Sequence, residues 1–291
     1  MEFIRPETFA DAVAEKAAHP DAVPICGGTD VMVGLNAGRA MPPALLDLSA
    51  LDGSFASWDR DGETLRIGAG MTYARIVAEL GQLSPALVGA ARTVGSPQIR
   101  NRATIGGNLG TASPAGDIHP VLLATGAVVE ASSVRETRDI SIDSFYVGVK
   151  RNALAPDELI RAVRIPVGRG AEQFAKVGTR NAMVIAVCSV AVALDVAARR
   201  VGTGIGSAAP TPVRAPAAEA LADELPWHGG ALEDDLARRF GEAVAAAASP
   251  IDDVRGSAAY RAHALAVLAR RTLTWALRDL HSPDRPGGGM P

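Results

Sequence analysis

Two short glycine-centred segments hold the residue types best suited to chemistry. The first, Ile25-Cys26-Gly27-Gly28-Thr29-Asp30, ends an apolar run and opens a helical one. Glycine lets the backbone take φ > 0 and lets a ligand approach the amides closely. Free N–H groups at the turn into a helix suit an anion such as phosphate. The same residues also suit an ordinary strand–helix turn capped by Thr29 or Asp30. The second segment, residues 104–117, begins Thr104-Ile105-Gly106-Gly107-Asn108 and adds the hydroxyls of Thr111 and Ser113 and the carboxylate of Asp117. It carries almost no helix or strand signal. Gly106 and Gly107 are expected to repeat the exposed-amide device. An ionised Asp117 only accepts hydrogen bonds, which suits ribose or ring hydroxyls; it would equally cap the helix after it.

Other catalytic signatures are missing. The sequence has no G-x-S-x-G elbow and no G-x-x-x-x-G-K-[ST] loop. Its five histidines (19, 119, 228, 263 and 281) share no metal-ligand spacing. His119 lies near the second segment and reads as a helix N-terminal residue that packs locally. The run Gly202-Thr203-Gly204-Ile205-Gly206-Ser207 loosely resembles a dinucleotide fingerprint, but lacks the third glycine offset and a following helix.

The elements that must position the two segments follow from periodicity. Residues 7–18 are expected to form a helix with Phe9, Ala12, Val13 and Ala17 on one side. Residues 22–26 read as a short buried strand, 31–38 as a helix and 44–49 as a strand, giving a small α/β unit over 1–52. A second unit, 53–168, has a strand at 64–70, helices at 73–80 and 85–94, and a helix starting at Asp117. Strands at 128–131 and 159–166 close it, with a boundary at Pro166. A third unit, 171–281, opens with strand-like stretches (172–178, 183–194, 201–209). It ends in helices at 216–225, 232–248 and 260–281. The Pro/Gly-rich residues 282–291 are expected to be a disordered tail.

Composition bounds the rest. Of 291 residues, 48% are hydrophobic and 21% charged, which suits a globular chain of two or three modules. A net charge of −3 gives no broad reason to bind nucleic acid or a membrane surface. Two cysteines, Cys26 and Cys188, fit a reducing compartment and cannot supply a four-thiolate cluster. The first residues lack the order of a signal peptide, and the longest near-apolar run, 182–194, is too short to span a bilayer. A cytoplasmic location is expected.

Two glycine cradles in different modules suggest a long ligand with a central diphosphate, the shape of flavin adenine dinucleotide. With those cradles, the stretches 3–15, 95–127, 154–166, 174–194 and 258–273 make the chain resemble the FAD-binding medium subunit of the molybdenum hydroxylases. That group includes xanthine dehydrogenase, carbon monoxide dehydrogenase and aldehyde oxidase. The resemblance implies an α+β architecture: a two-part FAD-binding fold of the vanillyl-alcohol-oxidase (PCMH-like) type, and a C-terminal α+β domain of the carbon monoxide dehydrogenase flavoprotein type. It implies a first cofactor loop of Pro24, Ile25, Cys26, Gly27, Gly28, Thr29, Asp30 and Val31. The second would be Thr104, Ile105, Gly106, Gly107 and Asn108, with Thr111 nearby and Asp117 toward a polar end of the cofactor. Val94 would be an apolar contact, Ile160 would offer its backbone, and Lys176 would approach the flavin.

The resemblance further implies that no side chain of this chain acts as general base or nucleophile, the flavin itself being the redox centre. A large subunit would hold a molybdenum cofactor and a small one two [2Fe–2S] clusters, in a dimer of heterotrimers. Electrons would leave the FAD for NAD or another acceptor. The segment 177–185 carries Arg180 and no carboxylate, unlike many NAD-using relatives, which leaves the acceptor open. Two rival readings are a stand-alone FAD-dependent oxidase and a non-enzymatic flavin-binding protein. The small aromatic set of three Trp, three Tyr and six Phe argues against a substrate pocket of its own.

Overall fold

A computed structural model describes residues 1–39, 41–51 and 53–282. The expected tail lies, beyond Ser282, outside the described residues. The chain opens with β1 (Glu2–Ile4), α1 (Phe9–Ala18), β2 (Val23–Ile25), α2 (Val31–Asn36) and β3 (Ala44–Asp47). The three strands form a parallel sheet in the order β1-β3-β2. Thr8 caps α1 in a reciprocal capping box with Asp11. Ala12 and Val13 are buried as the periodicity predicts, but Lys16 is buried with them and Ala17 is not. β2 is only half-buried, against expectation, because one side of it borders a cleft.

The middle of the chain contributes β4 (Trp58–Asp61), β5 (Thr64–Gly68), α3 (Tyr73–Glu79), α4 (Pro85–Thr93), α5 (Pro97–Arg102), α6 (Ile105–Thr111) and α7 (His119–Thr125). It continues with β6 (Val128–Ser132), β7 (Thr137–Ser141), α8 (Ile142–Phe145), β8 (Tyr146–Gly148), β9 (Arg151–Asn152) and β10 (Leu159–Pro166). An antiparallel sheet runs β4-β5-β10-β6-β7. Its register shifts between Ile160 and Ala162 on β10, a bulge that re-aims the strand beside the cleft.

Helix α6 corrects the reading of residues 104–117 as having almost no helix. Thr104 caps it by accepting from the Gly107 amide at 3.0 Å. Ile105 and Leu109, one turn apart, are fully buried in the core. Burying these two side chains outweighs the roughly 1 kcal/mol that each helical glycine costs.

The last part holds an antiparallel sheet of β11 (Glu172–Val177), β12 (Cys188–Asp195) and β13 (Arg200–Gly206). The predicted strand over 183–194 begins only at Cys188. After the sheet come α9 (Pro216–Glu219), a 3-10 turn (Ala220–Glu224), α10 (Asp234–Ala247) and α11 (Ala258–Leu280). A separate core joins this sheet to α10 and α11 through Val190, Val192, Phe240, Leu265 and Leu273.

The glycine run 202–207 is a packing device. A Cβ on Gly202 would stand 1.9 Å from the Ala124 carbonyl oxygen, and one on Gly204 1.9 Å from that of Pro120. Successive glycines on one face of β13 thus let the strand lie against the backbone of α7.

A second link joins the same two parts. Glu172 on β11 accepts from the Ser84 hydroxyl at 2.5 Å and the Ala86 amide at 3.1 Å, and so caps α4 from outside. Burial pushes its carboxyl up to about 7, and these two hydrogen bonds only partly offset that. The folded chain therefore holds a proton that the unfolded chain has released between the ordinary value of 4.5 and about 7. Raising the pH through this window removes stability, and the loss is complete above it. Glu172→Gln keeps the hydrogen-bonding oxygen without the charge. The melting temperature of Glu172→Gln minus that of wild type should grow from pH 4.5 to pH 8. A difference that does not change with pH would contradict this account.

Candidate functional site

A cleft of about 770 Å³ runs between the small parallel sheet and the helices of the antiparallel-sheet unit. That size falls within the roughly 300–1,000 Å³ of small-molecule and cofactor sites. Both glycine segments border it. Of the residues singled out in the sequence, Pro24, Ile25, Cys26, Gly27, Gly28, Thr29, Asp30 and Val31 line it on one side. Val94, Thr104, Gly106, Gly107, Asn108, Thr111, Asp117 and Ile160 line it on the others. Ile105 and Lys176 do not line it. Ile105 points into the core, as the i, i+4 partner of Leu109. Lys176 stands behind the wall.

The first loop presents backbone donors. Among the described residues, the amides of Gly27, Gly28, Thr29 and Asp30 have no protein acceptor. Gly28 sits at φ +73°, which favours glycine. Gly27 serves a different end: a Cβ there would stand 2.0 Å from the Arg102 carbonyl oxygen. The loop thus rests directly on the chain that leads into α6. Neither Thr29 nor Asp30 caps α2 with its side chain. Instead Asp30 accepts from the Thr111 hydroxyl at 3.1 Å, bridging the two glycine segments.

The second loop differs from expectation. Its amides are not free donors: Ile105 N–H donates to Met71 O at 3.1 Å, Gly106 N–H to Ala69 O at 2.9 Å and Gly107 N–H to the Thr104 hydroxyl. Gly107 has no positive φ. Gly106 is required because a Cβ there would stand 2.5 Å from that of Ala69. These glycines bring the backbone of α6 close to the cleft and to β5. They do not point unpaired N–H groups into it.

Asp117 does not cap α7, whose N-cap is Ile118. It is buried, and its Oδ2 accepts from Lys176 Nζ at 2.6 Å and from the Thr93 hydroxyl at 3.0 Å. Lys176 also donates to Thr93 O at 3.3 Å. Burial pushes the Asp117 carboxyl above its ordinary value, and the Lys176 ammonium opposes that rise. The pair thus ties β11 to the floor of the cleft. His119 is fully buried, and its Nδ1 shares a 2.7 Å hydrogen bond with the Tyr146 hydroxyl. Burial lowers it to about 3, so it is neutral.

Sequence reasoning missed several lining residues: Lys16, Tyr73, the 154–156 segment, Glu158, Leu159 and the 183–185 segment. Lys16 Nζ donates to Pro20 O at 2.6 Å and Ala22 O at 2.8 Å, on the buried face of a helix that read as ordinary. Met183 stands at φ +50° and, with Ile185, is exposed at the cleft.

The Asp117–Lys176 pair makes a direct prediction. Removing one member of a buried pair strands the other charge and costs roughly 3–5 kcal/mol. Asp117→Asn and Lys176→Met should each lower stability by about that much in urea unfolding. The double variant should recover a large part of the loss. Two single losses that simply add would contradict the pairing.

Comparison with known proteins shows the family and the fold. Residues 1–168 match the family described as the FAD binding domain in molybdopterin dehydrogenase. Residues 173–276 match the CO dehydrogenase flavoprotein C-terminal domain. The nicotine 6-hydroxylase medium subunit of Paenarthrobacter nicotinovorans is 33% identical over 284 residues, covering 95% of this chain and 97% of that one. The reconstituted CO dehydrogenase from Oligotropha carboxidovorans contains a chain that superposes with a TM-score of 0.87 at 27% identity, covering 95% of this chain and 97% of that one. Quinoline 2-oxidoreductase from Pseudomonas putida 86 shares the fold, with a TM-score of 0.88 at 21% identity, over 97% of this chain and 98% of that one. The chain therefore belongs to the FAD-binding medium subunits of the molybdopterin hydroxylase family, and is an oxidoreductase flavoprotein subunit.

Proposed function

We propose that this chain is the electron outlet of a molybdenum hydroxylase. Its FAD would accept electrons from [2Fe–2S] clusters on a small partner subunit and pass them to NAD or another acceptor, after substrate oxidation at a molybdenum cofactor on a large subunit. The observation that carries the reading is the cleft between the two glycine segments. It holds a row of backbone donors that have no protein acceptor among the described residues.

The residues present fit the cofactor. Gly27 to Asp30 would hold the diphosphate through their amides, since nothing else in the described chain uses those donors. Gly107 and Gly110 leave the wall of α6 low: a Cβ on Gly107 would meet only the Thr104 hydroxyl, and one on Gly110 nothing within 4 Å. Asp117, held by Lys176 and Thr93, keeps Oδ1 unpartnered and would accept from a hydroxyl or ring N–H. Val94 and Ile160 supply apolar walls.

Assembly with a large and a small subunit, as a dimer of heterotrimers, suits the surface near the cleft. Met32 and Val33 on α2, and Met183 and Ile185 at the cleft, are exposed apolar side chains near a site that must receive electrons from another chain. No helix among the described residues is long and apolar enough to cross a membrane.

In the test, the purified flavin-loaded chain is mixed anaerobically with candidate purines, aldehydes and N-heterocycles. Its oxidised flavin spectrum should persist, and adding the partner subunits should bleach it. Rapid bleaching of the isolated chain by one such substrate would overturn the reading in favour of a self-contained oxidase.

A further inference from the structure

Five buried side-chain polar atoms have no hydrogen-bond partner among the described residues, and four cluster at one wall of the cleft. They are Tyr73 Oη, Asn108 Oδ1, Asp117 Oδ1 and His119 Nε2. Tyr73, Asn108 and Asp117 line the cleft. His119 Nε2 and Asn108 Oδ1 both lie close to Gly116, where an added Cβ would stand 2.2 and 2.9 Å from them. Buried polar atoms are partnered almost everywhere in folded proteins, so four exceptions beside one cavity point to a ligand.

Tyr73 is the most informative of the four. It opens α3, and its own amide donates to Ala103 O at 3.1 Å, which fixes it beside the second glycine segment. Its side chain is 0% exposed, yet its hydroxyl has no partner. Burial and the Asp117 carboxylate hold the phenol well above its ordinary range, so it stays protonated. It therefore offers an O–H donor, whereas Asn108 Oδ1 and Asp117 Oδ1 only accept. We infer that Tyr73 is a cofactor-binding residue whose buried hydroxyl donates a hydrogen bond to an acceptor oxygen of the bound flavin dinucleotide. Gly106, Gly107 and Gly116 line the cleft with Tyr73 and present no side chain to hold a ligand away. The ligand edge facing this wall must carry both acceptors and donors. A flavin ring or a ribityl chain does so, and a purely apolar ligand does not.

The inference rests on the FAD reading, and the test separates the two. FAD affinity and the melting temperature of the cofactor-free chain are measured for wild type and for Tyr73→Phe, which removes one oxygen and keeps the ring. Failure of wild type to bind FAD would overturn the reading itself. With wild-type binding present, Tyr73→Phe should weaken FAD binding by about tenfold or more, the worth of one buried hydrogen bond. The cofactor-free variant should be as stable as wild type or more so, because an unsatisfied hydroxyl has gone. Unchanged affinity would overturn the inference. So would a cofactor-free variant that is less stable or fails to fold, since the hydroxyl would then have its partner inside the protein.

Discussion

The cleft exists because two backbones touch. Gly27 lies so close to Arg102 and Ala103 that a single methyl group would stand 2.0 Å from a carbonyl oxygen. This contact seats the small parallel sheet on the segment that enters α6. It brings a loop rich in free amides to face a helix whose amides are already used. Thr111 and Asp30 close the same junction from the other end with a side-chain hydrogen bond. A larger residue at position 27 would separate the two halves, and the site would be lost with little change to either sheet.

Backbone contact also joins the rest of the chain. Gly202 and Gly204 let β13 lie against α7, and α7 follows directly from the segment that carries Asp117. From β11, at the other edge of the same sheet, Lys176 reaches the Asp117 carboxylate. The C-terminal sheet is thereby coupled to the floor of the cleft through one buried ion pair, although its own core is separate. At the cleft, the Asp117 and Lys176 charges answer each other, and Lys16 is capped by backbone carbonyls.

Much of this was legible in the sequence. The paired glycines, the apolar run before Gly27 and the helical periodicity after it place the first segment at a strand–helix junction, where the structure has it between β2 and α2, whereas the second segment lies between two helices and itself forms α6. What was not legible has physical reasons. Three glycines in 105–111 argue against a helix, and only the burial of Ile105 and Leu109 shows why one forms. Glycine itself is ambiguous. Gly28 serves a left-handed turn, Gly27, Gly106 and Gly204 serve close packing, and no local pattern separates these uses. Asp117 reads equally well as a helix cap or a ligand group, because the Lys176 that holds it is distant in the chain. Tyr73 stands out in the sequence only as the start of a helix over 73–80, and the lack of a partner for its hydroxyl is visible only in three dimensions.

The central claim is that the two glycine segments together hold one dinucleotide. Chromatographic identification of the cofactor released when the purified, yellow chain is denatured tests it most directly. The account predicts FAD in roughly one-to-one ratio with protein, because the free amides of Gly27 to Asp30 call for a diphosphate that only the dinucleotide supplies. Release of FMN instead, or a colourless chain that takes up no added FAD, would contradict it.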